Sequence, residues 1–284
     1  MPELHKTDAR RSLLCGLLLL VVLGGCDRAA APTSDVWQSI PLSSGAGFSA
    51  VYFSDAQNGW LAGGSHLTEG GLLGMTTDGG LHWSFSGRIG NLKTTHLTAI
   101  HFFSRDVGIA GTDNGEIVRT SDGGQSWKST LRVSDRFGNR VSHFAVAGPR
   151  VVYAVIGDQV VRSRDRGKIW QCLTAANGIC PAAPECPEAD VNPKLKASAL
   201  AIMSPSKRAL ISGKTAVATS EDGGCTWHKT GSLTGQDRVR LNDLFFVDPD
   251  QGWVVGDNGL IAMTSDGGRQ WSVQNTAVAA HLTA

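Results

Sequence analysis

An eight-residue phrase is written five times along this chain of 284 residues. It first runs Thr76-Thr77-Asp78-Gly79-Gly80-Leu81-His82-Trp83, then recurs at Thr120 to Trp127, Ser163 to Trp170, Ser220 to Trp227 and Thr264 to Trp271. Each copy reads Ser/Thr-x-Asp-x-Gly-x-x-Trp, and successive tryptophans are 44, 43, 57 and 44 residues apart. A fixed period of that size marks a repeat architecture, in which one supersecondary unit cannot bury its apolar face without its neighbours. The phrase itself is a turn between antiparallel strands. An Asp carboxylate accepts the turn's backbone N–H groups, and glycine supplies the positive φ that the turn requires. The Trp is expected to begin the next strand and pin the turn to its sheet. Asp78, Asp122, Asp165, Asp222 and Asp266, with Trp83, Trp127, Trp170, Trp227 and Trp271, are therefore read as structural fasteners. Equivalent carboxylates spread around a ring cannot share one substrate.

Reading outward from each phrase gives four short strands per unit. The second unit runs Leu97 to Phe103, Val107 to Gly111, Glu116 to Arg119 and Trp127 to Leu131, with Asp113-Asn114-Gly115 between the second and third runs. The fifth repeats the plan with Leu241 to Val247, Gly252 to Gly256, Asp257-Asn258-Gly259 and Leu260 to Met263. Asn-Gly between apolar runs is a strong hairpin signal. Four-stranded units of this length match the blades of a β-propeller. The expected fold is all-β, with five blades (six the alternative) at about 48–92, 93–138, 139–194, 195–238 and 239–278 of a propeller spanning 36–284. The leading Val36 to Leu42 is expected to add a strand that closes the ring, since an open ring leaves unpaired edges.

The amino terminus carries a separate message. Arg10-Arg11 precede the apolar run Leu13 to Leu23, which is short for a membrane span and is followed by small residues, as in a secretory signal. Leu23-Gly24-Gly25-Cys26 resembles a bacterial lipobox, so residues 1–25 are expected to be a signal peptide and Cys26 the lipidated first mature residue. Residues 26–35 read as a flexible tether. Asp27 directly after the lipidated cysteine favours retention on the periplasmic side of the inner membrane, with the outer membrane as the alternative. Cysteine use agrees with an oxidising compartment: apart from Cys15 and Cys26, the chain holds Cys172, Cys180, Cys186 and Cys225. Of the three possible pairings, the expectation is Cys180 with Cys186 inside the insertion and Cys172 with Cys225 between neighbouring blades. No Cys-x-x-Cys spacing supports zinc, and neither a metal nor a cofactor is expected.

Two features are candidates for binding a partner. Residues 175–193, rich in Ala, Pro, Cys and Asn, form an insertion that lengthens one interval between tryptophans, and loops on rigid scaffolds often carry function. The mature chain balances 23 basic against 23 acidic residues, yet Arg105 to Lys168 holds eleven Lys/Arg against seven acids. Arg119 and Arg162 occupy matching third-strand positions of adjacent units and, with Arg136 and Arg140, are candidate contacts for an acidic protein segment or anionic headgroups. A neutral exported chain is a poor nucleic-acid binder, and a monomer is expected.

The fifth unit, from Leu241 through Gly252-Trp253-Val254-Val255-Gly256-Asp257-Asn258-Gly259 to Thr264-Ser265-Asp266-Gly267-Gly268-Arg269-Gln270-Trp271, resembles the repeat of the photosystem II stability/assembly factor family. The resemblance covers nearly all of the mature chain. It implies an exported, often lipid-anchored propeller, seven-bladed in that family, that binds a newly made reaction-centre subunit without catalysis. It implies a membrane-protein subunit as partner, and an arginine-rich surface suggested here for Arg119 and Arg162. Sialidases and other glycoside hydrolases share the same turn and supply the rival reading, as does a glycan-binding propeller. A retaining sialidase needs a Tyr nucleophile, an acid/base Asp and an arginine triad. The chain's two tyrosines, Tyr52 and Tyr153, lie inside apolar strand runs. Asp243 is the isolated acid at an inner-strand position, while His101 and His143 are first-strand histidines read as core or channel-wall residues.

Overall fold

Apolar alternation bounded by Gly, Asp and Asn turns yields strands and, among the described residues, no α-helix. The computed structural model describes residues 42, 47–65, 68–86, 89, 96–133, 139–173, 181, 183, 184, 186, 196–212, 215–230, 233, 239–274, 280 and 282. The signal peptide, Cys26, the tether, residues 36–41 of the expected closing strand, Arg136 and Cys180 lie outside them.

Five four-stranded antiparallel sheets follow one another along the chain, each with its strands hydrogen-bonded in sequence order. The first holds β1 (Gly47–Phe53), β2 (Gly59–Ser65), β3 (Thr68–Thr76) and β4 (Ser84–Ser86). The second holds β5 (Leu97–Phe102), β6 (Gly108–Thr112), β7 (Glu116–Thr120) and β8 (Lys128–Arg132). The third is β9 (Val141–Val146), β10 (Val152–Ile156), β11 (Gln159–Ser163) and β12 (Gln171–Cys172). The fourth is β13 (Ala197–Ile202), β14 (Arg208–Ser212), β15 (Ala216–Ser220) and β16 (His228–Thr230). The fifth is β17 (Leu241–Phe246), β18 (Gly252–Gly256), β19 (Ile261–Thr264) and β20 (Ser272–Gln274). These are the blades of a β-propeller. First strands of successive sheets pack on one another, β1 on β5, β5 on β9, β9 on β13 and β13 on β17.

The second strands explain why the sheets stack. Every residue of β6 and of β10 is buried, as expected of a strand covered on both faces. The core accordingly divides into clusters between sheets: Trp60 and Leu73 of the first pack with Ile100 and Phe102 of the second, with Trp60 and Phe102 rings stacked 3.9 Å apart. Apolar burial of this kind stabilises by roughly 25 cal/mol per Å², so each sheet depends on its neighbour.

The repeated phrase folds as a fastener. In the second copy Thr120 Oγ1 donates to Asp122 Oδ1 at 2.7 Å, and that oxygen accepts the Ser126 N–H at 2.9 Å. Gly124 N–H donates to Thr120 Oγ1 at 2.9 Å, and Trp127 Nε1 donates to the Gly124 carbonyl at 3.0 Å. Gly123 and Gly124 stand at φ +73° and +96°. Where the third copy lacks its first glycine, Arg166 takes the left-handed conformation instead, at φ +62°. One expectation is corrected here. The Trp precedes the fourth strand instead of opening it, because its backbone still belongs to the turn while its ring covers the second glycine.

Candidate functional site

The five turn carboxylates are consumed where they stand. Each accepts its Ser/Thr hydroxyl and a backbone N–H four residues on: His82 for Asp78, Ser126 for Asp122, Ile169 for Asp165, Thr226 for Asp222 and Gln270 for Asp266. The Ser126 hydroxyl and N–H and the Thr120 hydroxyl hold Asp122 down at about 2. The His82 N–H and ring hold Asp78 well below the usual carboxylate range. Carboxylates stabilised as anions by donors fixed in the turn are poor general acids.

The arginines do not gather into one open patch. Arg119 is half-buried, and its Nε donates to the Arg166 carbonyl in the third sheet's turn at 3.0 Å. Arg162, one blade on, places Nη1 3.4 Å from the Gly223 carbonyl in the fourth sheet's turn. Arg166 and Gly223 occupy the same position of the repeated phrase, so the two arginines are equivalent staples from one blade to the next. Arg162 is 2% exposed, which corrects its reading as a surface contact: burial between sheets removes it from the face a large partner could touch. Of the four candidate arginines, Arg140 is the one shown exposed, immediately before β9, whereas Arg136 lies outside the described residues.

Arg140 belongs to a constellation that the sequence left scattered. A cavity of about 650 Å³ is lined by first-strand residues of all five sheets, among them Ser49, Thr98, Ser142, His143, Ser198 and Asp243. Arg140 and Arg240 line it too, each directly before a first strand. His96 and Lys196 hold the same position in the second and fourth units, so a basic residue precedes four of the five first strands. This is the signal that could have found the channel rim: one position relative to the inner strand, read across the repeats.

His143 Nε2 lies 3.9 Å from Asp243 Oδ1, joining the third and fifth sheets across the channel. Asp243 Oδ1 also accepts the Leu244 N–H at 2.8 Å, and Asn242 is held by Asp257 and the Leu282 carbonyl. Asp243 is the one carboxylate among the described residues lining this cavity. Paired acids flanking a scissile bond, which glycoside hydrolysis requires, are not assembled there. His101 packs between the Tyr52 and Phe103 rings, at 4.6 and 4.8 Å, and burial pushes its imidazole down to about 4. Among the described residues no group of His, Cys, Asp and Glu is arranged to hold a metal ion.

The insertion is stitched into the core. Cys186 is bonded to Cys225 of the fourth turn, 39 residues on, with Cα atoms 5.0 Å apart. That bond overturns the expected pairing of Cys186 with Cys180 and of Cys225 with Cys172. Cys172 is itself in a disulfide. The Cys172 N–H donates to the Pro181 carbonyl and the Ala183 N–H to the Cys172 carbonyl, laying the segment along β12. Ala183 and Cys186 thereby reach the same buried cluster as Leu173, Cys225 and Trp227.

The sequence model of the family described as photosynthesis system II assembly factor YCF48 matches residues 29–179, just over half of the chain. This protein belongs to the YCF48 family. The photosystem II assembly lipoprotein Ycf48 of Synechococcus sp. (strain CC9902) is 29% identical over 171 residues, which cover 59% of this chain and 50% of that protein. The chain thus spans about half the length of that curated relative. A solved structure of YCF48 bound to D1 peptide aligns at a TM-score of 0.59 and 19% identity, covering 84% of this chain and 70% of that one. The GH74 enzyme of Niastella koreensis aligns at 0.57 and 14% identity, over 80% of this chain and 38% of that one. At these identities the two structures speak to the fold alone, which YCF48 propellers share with enzymes of other function.

Proposed function

We propose that this protein is a non-catalytic, exported, lipid-anchored scaffold that holds a membrane-protein partner during assembly. Membership of the YCF48 family carries the reading, since a curated relative is named as an assembly lipoprotein and a solved relative holds a D1 peptide. The site chemistry agrees with it. Every turn carboxylate is engaged, and the channel offers one acid beside cations. Such a surface suits recognition of an acidic segment, with Arg140 and Arg240 at the channel rim as its contacts. Lipidation of Cys26 tethers the propeller, and Asp27 places it on the periplasmic side of the inner membrane.

The test is a pull-down of the tagged, full-length protein from mild detergent, with co-purifying proteins identified by mass spectrometry. The expected result is an integral membrane subunit that is recovered with the native chain and lost with Arg140→Glu/Arg240→Glu. Equal recovery with both chains would overturn the channel-rim assignment. Hydrolysis of a glycan by the purified protein would overturn the non-catalytic reading. A Cys26→Ser variant that remains in washed membranes would overturn the anchor.

A further inference from the structure

Trp60 and Trp253 hold the same place in the first and fifth sheets: each follows the glycine that opens the second strand and pairs with a methionine of the third, Met75 and Met263. The same register makes Ala62 equivalent to Val255 and Leu73 to Ile261. Trp60, Ala62 and Leu73 are buried against Ile100 and Phe102 of the second sheet, and Trp60 stacks on Phe102 at 3.9 Å. Trp253, Val255 and Ile261 are each partly exposed. Phe245, the cross-strand partner of Trp253 and so on the same face, is 62% exposed. The fifth sheet thus carries one half of the interface that joins the first sheet to the second.

The other half stands open on the first sheet. Val51 and Phe53 take the places of Ile100 and Phe102 there and are 60% and 40% exposed. First strands pack on one another from β1 through to β17 in chain order, and among the described residues no comparable packing joins β17 back to β1. A row of repeats that ends in water closes each end with a polar outer face. Both ends here are apolar, and contiguous exposed apolar surface marks an interaction site. Ala280 and Leu282 are hydrogen-bonded to Gly259 and Gly256, at the end of β18 away from Trp253, so the tryptophan end of the face stays open.

We propose that the fifth sheet of one copy of this chain docks on the first sheet of a second copy, with Trp253 stacking on the partner's Phe53 as Trp60 stacks on Phe102 within one chain. The repeat itself selects the occupant. In this fold the face bearing the second-strand tryptophan is covered by a first strand that carries a phenylalanine at this position, and the chain's own uncovered first strand is β1. Rings and aliphatic side chains removed from water on both sides supply the drive. Because each copy offers two different faces, the contact is heterologous and copies add head to tail. The inference uses neither the channel rim nor the identity of the membrane-protein partner, so it stands or falls independently of the scaffold function proposed above.

The experiment is sedimentation velocity of the full-length protein in mild detergent, from about 1 to about 100 µM, a range that brackets micromolar association. The expected result is a mass that rises from one chain toward two and beyond as concentration rises. Val51→Glu on the first sheet and Phe245→Glu on the fifth each alter an exposed position, so both variants should fold with the native Tm, and each alone should weaken association by roughly tenfold or more. Mixing the two should restore one interface, since the Val51→Glu chain keeps its fifth sheet and the Phe245→Glu chain its first, and the mixture should stop at two chains. Val51→Lys and Phe245→Lys repeat the mixing if a glutamate variant fails to fold. A mass that stays at one chain throughout, as it does if the ring closes on itself, would overturn the proposal and return the monomer expected from the sequence. So would association that survives both substitutions, or a mixture of folded variants that stays monomeric.

Discussion

His101 shows how a single side chain couples this fold to pH. Its imidazole is held neutral between the Tyr52 and Phe103 rings, with its pKa pushed from 6.5 down to about 4 by burial. A folded-state value below the unfolded one means that the unfolded chain binds the extra proton first as pH falls. The stabilisation is therefore complete above pH 6.5 and is lost as pH falls toward 4. Its size is on the order of 3–4 kcal/mol, given about 1.4 kcal/mol per pH unit. Asp122, held at about 2, acts in a lower window, keeping its contribution above pH 4 and losing it as pH approaches 2. In the fifth sheet the position equivalent to His101 is already a phenylalanine, Phe245. His101→Phe is accordingly expected to fold and to flatten the loss of stability between pH 6.5 and 4 in urea titrations. An unchanged slope would assign that window to other groups.

At the scale of the element, what could be read in advance was what is local. The turn phrase, the hairpin at Asp257-Asn258-Gly259 and the strand runs each depend on neighbours within a few residues, and each was legible to within one or two positions. Asn258 takes φ +59°, as a left-handed turn residue does. What was not legible depends on residues far apart in the chain. Arg119 and Arg162 read as a surface patch because strand alternation does not say whether a side chain meets solvent or the next blade. The cysteines were mispaired for the same reason: contiguity favoured Cys180 with Cys186, whereas packing beside Trp227 selects Cys186 with Cys225. Closing a loop of 39 residues restricts the unfolded chain, for an expected stabilisation of about 4 kcal/mol. A peptide map without reductant should recover the Cys186 and Cys225 peptides linked, and Cys225→Ser should lower Tm by roughly 10 °C at this chain length. A map linking Cys225 to Cys172 would restore the earlier pairing.

Across the whole molecule, the repeats are alike in sequence but not in circumstance. Aligning the first strands by their partners in the second makes Val51, Ile100 and Leu244 equivalent, and likewise Phe53, Phe102 and Phe246. Ile100 and Phe102 are 7% and 1% exposed, and Leu244 and Phe246 are 5% and 6%, because each pair packs against the preceding sheet. Val51 and Phe53 are 60% and 40% exposed. Phe245, which points the other way from the fifth sheet, is 62% exposed. The first and fifth sheets therefore each present a face that the inner sheets bury, and the repeat count alone could not reveal it. The energetic consequence is measurable with paired variants. Ile100→Ala removes buried methyl groups and should cost about 2–4 kcal/mol, while Val51→Ala, at the equivalent but exposed position, should cost less than about 0.5 kcal/mol. A loss for Val51→Ala that approaches that of Ile100→Ala in denaturant unfolding of the full-length protein would mean that the outer face of the first sheet is covered in solution.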